Sequence, residues 1–507
     1  MSDRTSRAIS GTISSFIEFV LRLGLQVALA PLLLHVAGQE TLGVYGILVQ
    51  LMAYLALVDL GFGVALGRYM AQAIGYDDQK ERFIKIFNTG RTFYLVSNTL
   101  IAFLSLVLTI FIGDLFSLSG PVEVQARISL SIFALWSILR TPLSMYGSAL
   151  IATQNLAAAN FINMIGNSIR LIISLAMIFL GFGLIGLILA NVFAEFFTFF
   201  LQRLYYLKTY PDENFGWGIP SWSLFREMFG FGIGYLFITI SARLVFNTGN
   251  VVVGYLYGGV ATSIYYTTQM PTFLIMVLIW KITENAAPAL HELYARKEIE
   301  KIQNTYYRLI KYVLMLSLGA GIGILVLNKA LITLWVGENQ YAGSTMTISL
   351  VIFLVCAVIN HVTCTILVVY GAVRVLSVIC FVLALSNLVL SIVLGKILGM
   401  EGVMVAGAVV ETVSVVVVGL YGILFMRINL FELLRKAAVP AILTNFFVIP
   451  VAAFIYFQDQ SESVAIMMSW SFIFLIIWSI GSFTAGLNKK EIAQIRGYIE
   501  SIVITNT

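Results

Sequence analysis

The chain has 507 residues, of which 60% are hydrophobic and 11% charged, and its mean hydropathy is +0.95. Soluble domains carry about 25% charged residues, so the composition excludes a soluble globular protein and leaves a polytopic membrane protein. The net charge of +5 reflects where the loops lie and lends no support to nucleic-acid binding.

A bilayer core needs about 20 apolar residues per helix. On that measure the chain predicts an all-α fold of about fourteen transmembrane helices: 13–35, 43–66, 92–113, 128–152, 159–180, 183–202, 228–249, 260–284, 309–328, 343–370, 375–395, 402–426, 438–457 and 463–486. The first keeps Glu18 and Arg22 inside its apolar run and lacks a small-residue cleavage site, so it reads as a retained helix and not a signal peptide. With the N-terminus inside, segments on that side hold 22 of the 30 Lys and Arg residues, against three (Arg127, Lys329, Lys396) on the other. The positive-inside rule then predicts two cytoplasmic termini.

Polar residues recur along several spans at helical spacing. The first span carries Ser15, Glu18, Arg22 and Gln26 on one face. Asp59 lies in DLGFG toward the end of the second. The fourth carries Ser137, Arg140, Thr141, Ser144 and Ser148, with Pro142 expected to bend it. The fifth carries Asn160, Asn163, Asn167, Arg170 and Ser174, and the seventh Tyr235, Thr239, Arg243 and Asn247. A charge at mid-bilayer costs about 2.5–3.5 kcal/mol even on the lenient insertion scale, so such groups face a bundle interior or a wet cavity. Ser, Thr and Asn also simply hold helices together. Guanidinium forks onto phosphate or carboxylate oxygens, which makes Arg22, Arg140, Arg170 and Arg243 candidates for an anion path. Gln26, Asn163, Asn167, Thr239 and Asn247 are its expected polar lining. The acids Glu18, Asp59, Glu195 and Glu411 either neutralise these arginines or carry a coupling proton or sodium ion.

A repeat runs through the chain. GFGLIGLILANVFAE (181–195) and ILGMEGVMVAGAVVE (397–411) share Gly183/Gly399, Gly186/Gly402, Ala190/Ala406 and Glu195/Glu411, all displaced by 216 positions, as are Gly43 and Gly259. Each unit then holds six spans, and an even number gives two halves of the same orientation, the parallel-repeat pattern of transporters. The expected organisation is a six-helix bundle at 1–210, a second at 211–430, and two further spans with a tail at 431–507.

Cys356 and Cys364 lie eight residues apart on one helix, about 12 Å by rise, too far to bridge; with Cys380 they read as packing thiols. His35, His291 and His361 form no metal-ligand cluster, and no G-x-x-x-x-G-K-[ST] occurs. No outward loop exceeds about 15 residues by these boundaries, too little for the external catalytic constellation of a membrane polymerase or glycosyltransferase. Neither an enzyme nor a cofactor is expected.

The second-span passage GVYGILVQLMAYLALVDLGFGVALGRYMAQA, the basic stretch YDDQKERFIKIFNTGR behind it, the six-plus-six repeat and GFGLIG before the sixth span resemble the Wzx-like O-antigen and capsule flippases. These are polysaccharide exporters of the multidrug/oligosaccharidyl-lipid/polysaccharide (MOP) superfamily, and the likeness covers nearly the whole chain. It is shared with lipid II flippases and partly with multidrug and toxin extrusion (MATE) proteins. Asn250, in NTGNVVVGYLYG, stands where the family pattern often has an acid. The resemblance implies a MATE/MOP-like fold in the plasma (inner) membrane. It also implies a polyprenyl-pyrophosphate-linked oligosaccharide moved from inner to outer leaflet by alternating access, with the polyprenyl tail in membrane lipid near the last two spans. A polysaccharide polymerase is the implied partner. The competing reading is an organic-cation antiporter of the same superfamily, with a cavity dominated by Asp59, Glu195 and Glu411.

Overall fold

Inside a bilayer each backbone N–H and C=O must be satisfied within its own segment, which favours helices. Every regular element among the described residues is accordingly helical. The structure, a computed structural model, describes residue 24 and residues 27–59, 62–73, 79–153, 155–210, 218–456, 463–488 and 491–493. It divides into two compact units, Met1–Ser263 and Ile264–Thr507.

The first unit contains α1 (Val27–Ala37), α2 (Gln39–Leu55), α3 (Phe62–Ala73), α4 (Gln79–Leu115), α5 (Gly120–Leu139), α6 (Thr141–Ala152), α7 (Leu156–Phe179) and α8 (Gly183–Thr209). It also takes the opening part of α9 (Trp222–Ala295). The second unit takes the remainder of α9 with α10 (Ile299–Val336), α11 (Ser344–Val369), α12 (Val373–Leu398) and α13 (Met400–Met426). A short α14 (Leu430–Leu433), α15 (Val439–Phe446), α16 (Ile449–Tyr456) and α17 (Val464–Gly481) follow. The repeat in the sequence divides near residue 210, whereas packing keeps residues 222–263 with the first unit.

Eleven helices among the described residues are long and apolar enough to cross a membrane, and the bent pair Leu430–Phe446 and Ile449–Tyr456, meeting at 44°, makes a twelfth. In that number α9 counts once. Its 74 residues would reach about 110 Å if straight, against a hydrocarbon core of about 30 Å. Gly258, at φ 77° and ψ −173°, occupies backbone space essentially reserved for glycine and breaks α9 into 222–257 and 259–295. Each piece is long enough to cross. The expected first span, 13–35, lies mostly outside the described residues.

Two spans read as continuous are interrupted. Arg140 separates α5 from α6, with Pro142 in the first turn of α6, as proline's missing N–H predicts. The second expected span gives way after α2 to a 3₁₀ turn, Ala56–Asp59, before α3. Val58, Asp59, Gly61 and Gly63 are poor helix formers in succession, which accounts for the break.

Packing inside the two units follows one order. In the first, α4 packs on α5, α7 on α8, and α5 and α6 on α8; in the second, α10 packs on α11, α12 on α13, and α11 on α13. Small residues permit the closest approaches. Within the first unit a Cβ on Gly43 would lie 1.7 Å from the Gly259 carbonyl oxygen, so α2 and α9 meet there backbone to backbone. α15, α16 and α17 dock on α10. Asn445 donates to the Met315 carbonyl at 3.2 Å, and Lys311 holds both carboxylate oxygens of Glu491 at 2.6 Å.

Candidate functional site

The stripe on α7 lies where its periodicity places it. Phe161, Ser168, Ile172 and Phe179 are exposed on one side of the helix, and at 100° per residue Asn160, Asn163, Asn167, Arg170 and Ser174 fall on the opposite side. Ser174 is buried there. Asn163 accepts a hydrogen bond from Gln202 of α8 at 3.1 Å, so this member of the stripe joins two helices. Arg170 is half-buried, and its charge acts on Tyr45 of α2. Asn167 is half-buried beside it on the same face.

Arg140 stands at the α5–α6 break, and its surroundings define a charged cluster. It donates to Asn98 Oδ1 of α4 at 3.1 Å and approaches Glu195 Oε2 of α8 at 3.9 Å. Trp136, one turn earlier on α5, donates its indole N–H to the same carboxylate oxygen at 2.6 Å. Asn98 in turn donates to Thr141 at 3.0 Å. Tyr94 of α4 feels the charges of both Asp59 and Arg140, which puts Asp59 on the same side of the unit. Sequence reasoning placed Arg140 in an anion path and left Glu195 open between structural partner and ion site; here Glu195 is the counter-ion of Arg140. The Glu195 side chain is nevertheless 47% exposed. It points away from the exposed Phe193 and Phe200 of α8.

On α9, Thr239 and Asn247 are half-buried and Arg243 is exposed, with no ion pair among the described residues. Tyr54 of α2 hydrogen-bonds Thr248 at 2.7 Å, and Asn250 is fully buried. Glu18, Arg22 and Gln26 lie outside the described residues, as does the side chain of Tyr235.

In the second unit Glu411 of α13 is buried at 6% exposure. Asn360 of α11 donates to its carboxylate at 2.5 Å, and the buried Asn360 Oδ1 beside it accepts no hydrogen bond. Among the described residues no Lys or Arg is paired with Glu411. Two acids 216 positions apart thus meet different environments: one facing a guanidinium, the other an amide. Trp136, Asn98, Tyr45, Tyr54 and Asn360 were not singled out from sequence. Trp136 shares the face of Arg140 at i−4 and was readable; the others sit on separate helices with no spacing signal. Phe472, Leu475, Ile476, Ser479, Ile480, Phe483 and Thr484 form a shallow, open apolar groove along α17 and the turn that follows it.

Residues 37–345 match the model of the polysaccharide biosynthesis protein family. No curated protein is detectably similar in sequence. Among solved structures, lipid II flippase MurJ in an inward closed conformation aligns with a TM-score of 0.72 at 16% identity, covering 94% of this chain and 98% of that one. An inward-facing multidrug resistance MATE family transporter of the MOP superfamily aligns at 0.69 and 16% identity, covering 81% and 98%. A MOP superfamily transporter from Pyrococcus furiosus, described as having a binding pocket of reversed polarity, aligns at 0.61 and 16% identity over 83% and 96%. The fold is therefore that of MOP-superfamily transporters, and with well over half its length matched, this multi-pass membrane chain belongs to the polysaccharide biosynthesis protein family.

Proposed function

We propose that the chain is a flippase that moves a polyprenyl-pyrophosphate-linked oligosaccharide from the inner to the outer leaflet of the plasma membrane, with both termini cytoplasmic. The observation that carries this reading is the charge balance of the first unit's spans. Arg140, Arg170 and Arg243 stand against Asp59 and Glu195, an excess of one positive charge where an organic-cation carrier needs an acidic interior. A pyrophosphate cannot enter hydrocarbon unpaired, and guanidinium replaces its water with charge-assisted, bidentate hydrogen bonds. Arg170, on the inward side of α7, is the principal anion ligand. Arg243 and Arg22 extend the path, and Arg140 joins it when Glu195 yields. Asn163, Asn167, Thr239, Asn247 and Gln26 serve the sugar hydroxyls. The polyprenyl tail stays in lipid, and the apolar groove along α17 suits it. The two repeat-related halves alternate access, the chain makes no covalent change in its substrate, and a polymerase uses the product.

The specific feature favouring the competing cation antiporter is Glu411, buried without a cationic partner among the described residues. Such a carboxylate is stable as the acid or with a bound cation, which makes it the strongest coupling candidate among Asp59, Glu195 and Glu411. One assay addresses both readings: leaflet-resolved translocation of a defined polyprenyl-pyrophosphate sugar in proteoliposomes. Losing a hydrogen bond to a charged group is worth about 1.5–3 kcal/mol, so Arg170→Ala should slow translocation about 10- to 100-fold at unchanged protein recovery. Glu411→Gln should abolish any acceleration by an imposed proton or sodium gradient and spare the basal rate. Normal translocation by Arg170→Ala, with organic-cation efflux lost in Glu411→Gln, would establish the antiporter instead.

A further inference from the structure

Between α8 and α9 the chain crosses the cytoplasmic side of the first unit, and residues 218–226 form a strap whose two sides differ. The inner side is fastened. Ser221 N–H donates to Thr89 Oγ1 of α4 at 2.9 Å. Gly218 lies so close to Asn88 that a Cβ would sit 2.2 Å from its Nδ2. Ser221 also caps the opening turn of α9 by accepting from Leu224 N–H at 3.4 Å. Phe225 stacks on Phe62 and Phe93 of the core at centroid distances of 6.0 and 5.8 Å. The strap is thus built into the bundle.

The outer side is apolar and covered by nothing among the described residues. Ile219 is 92% exposed and Trp222 75% exposed, with one indole face laid on Phe225 at 4.9 Å and the other open. Neither residue belongs to a span. The apolar run of α8 ends near residue 202, and α8 continues only seven residues further, about 10 Å of rise; the apolar run of α9 resumes near residue 228. The strap therefore returns to the bilayer from a depth close to its headgroups. Exposed Arg203, Lys208 and Arg226 lie on either side of the two apolar residues in the chain, but so do exposed Glu227 and the acids Asp212 and Glu213, and the connection carries no net charge. An exposed tryptophan beside a large exposed aliphatic residue is the composition of a surface that sits at the boundary between headgroups and acyl chains.

We propose that Ile219 and Trp222 form an interfacial anchor that inserts into the cytoplasmic leaflet and so fixes where α9 enters the membrane. A lipid surface fits better than a protein partner, because the patch is continuous with the bilayer that already surrounds α8 and α9. The proposal rests on the membrane orientation and not on the identity of the transported molecule.

The test uses the full chain in nanodiscs containing phosphatidylglycerol. Cys356, Cys364 and Cys380 are replaced by serine, and a nitroxide is placed at 219 or at 222, with the exposed Lys297 as an aqueous control. Collision with oxygen should exceed collision with a water-soluble nickel chelate at 219 and 222, and the reverse should hold at 297. Nickel-favoured collision at 219 and 222 would overturn the anchor by placing the patch in water. Shielding from both reagents would overturn it by showing a protein covering. Should the serine-substituted chain fail to fold, the native cysteines are kept and tryptophan emission is quenched by lipids brominated near the headgroup. Trp222→Phe should then remove a quenchable component from the seven tryptophans. Loss of an unquenched component instead would contradict the proposal.

Discussion

Arg140 and Glu195 show how a membrane interior can hold a charge in reserve. Their closest approach, 3.9 Å, is a loose pair, and each has a better hydrogen bond elsewhere: Arg140 to Asn98 at 3.1 Å and Glu195 to Trp136 at 2.6 Å. An anion arriving beside Arg140 competes with a carboxylate that is already held by an indole. The two partners should therefore respond to substitution with opposite signs. Arg140→Ala should weaken affinity for a pyrophosphate-bearing ligand, and Glu195→Gln should strengthen it several-fold, since the amide oxygen still accepts from Trp136 while the competing charge is gone. Calorimetric titration of the purified protein with inorganic pyrophosphate reads both. Parallel losses in the two variants would mean that the pair only holds α5 to α8.

The elements of this fold differ in how openly they announce themselves. The α5–α6 break was legible because Pro142 cannot donate to the helix ladder, and the inward stripe of α7 was legible because Asn160, Asn163, Asn167, Arg170 and Ser174 keep a helical period. The 3₁₀ turn at Ala56–Asp59 was not, since only a run of individually tolerable residues produces it. Nor were the partners of Arg140, Asn98 and Glu195, which come from two other places in the chain. Least legible is the attachment of the C-terminal segment to α10: Lys311 and Glu491 stand 180 residues apart, one at the edge of an expected span and the other in the tail, with no spacing to join them. Both side chains are nearly fully buried. Burial pushes the Glu491 carboxyl up, but hydrogen bonds from Lys311, the Asn488 backbone and Tyr312 outweigh it and hold the group below the usual carboxylate range. A group with a lowered folded pKa contributes stability that is complete above its unfolded value, about 4.3, and is lost as pH falls through the folded value. Lys311→Ala should cost about 3 kcal/mol by stranding a buried charge. The difference in melting temperature between wild type and variant should hold from pH 7 to pH 5 and shrink only under stronger acid. A difference already gone at pH 6 would show that the pair does not anchor the tail.

At the scale of the whole molecule the arginines are distributed unequally. The spans of the first unit hold Arg140, Arg170 and Arg243, while those of the second hold buried Glu411, a neighbouring pair, Lys281 with Glu284, and Lys311 paired with Glu491. The positive balance of the first unit's spans makes a driver available that needs no dedicated ion site. With the cell interior negative, each negative charge carried outward gains about 2.3 kcal/mol per 100 mV, so two phosphate charges gain about twice that. The most direct measurement is leaflet-resolved translocation of a polyprenyl-pyrophosphate sugar in proteoliposomes under a potassium diffusion potential, with proton and sodium gradients clamped at zero. Flux toward the positive side should rise with potential, reverse when the potential is reversed, and fall about 10- to 100-fold in Arg170→Ala. Flux that ignores the potential, or that Arg170→Ala leaves untouched, would contradict an arginine-lined path for a pyrophosphate.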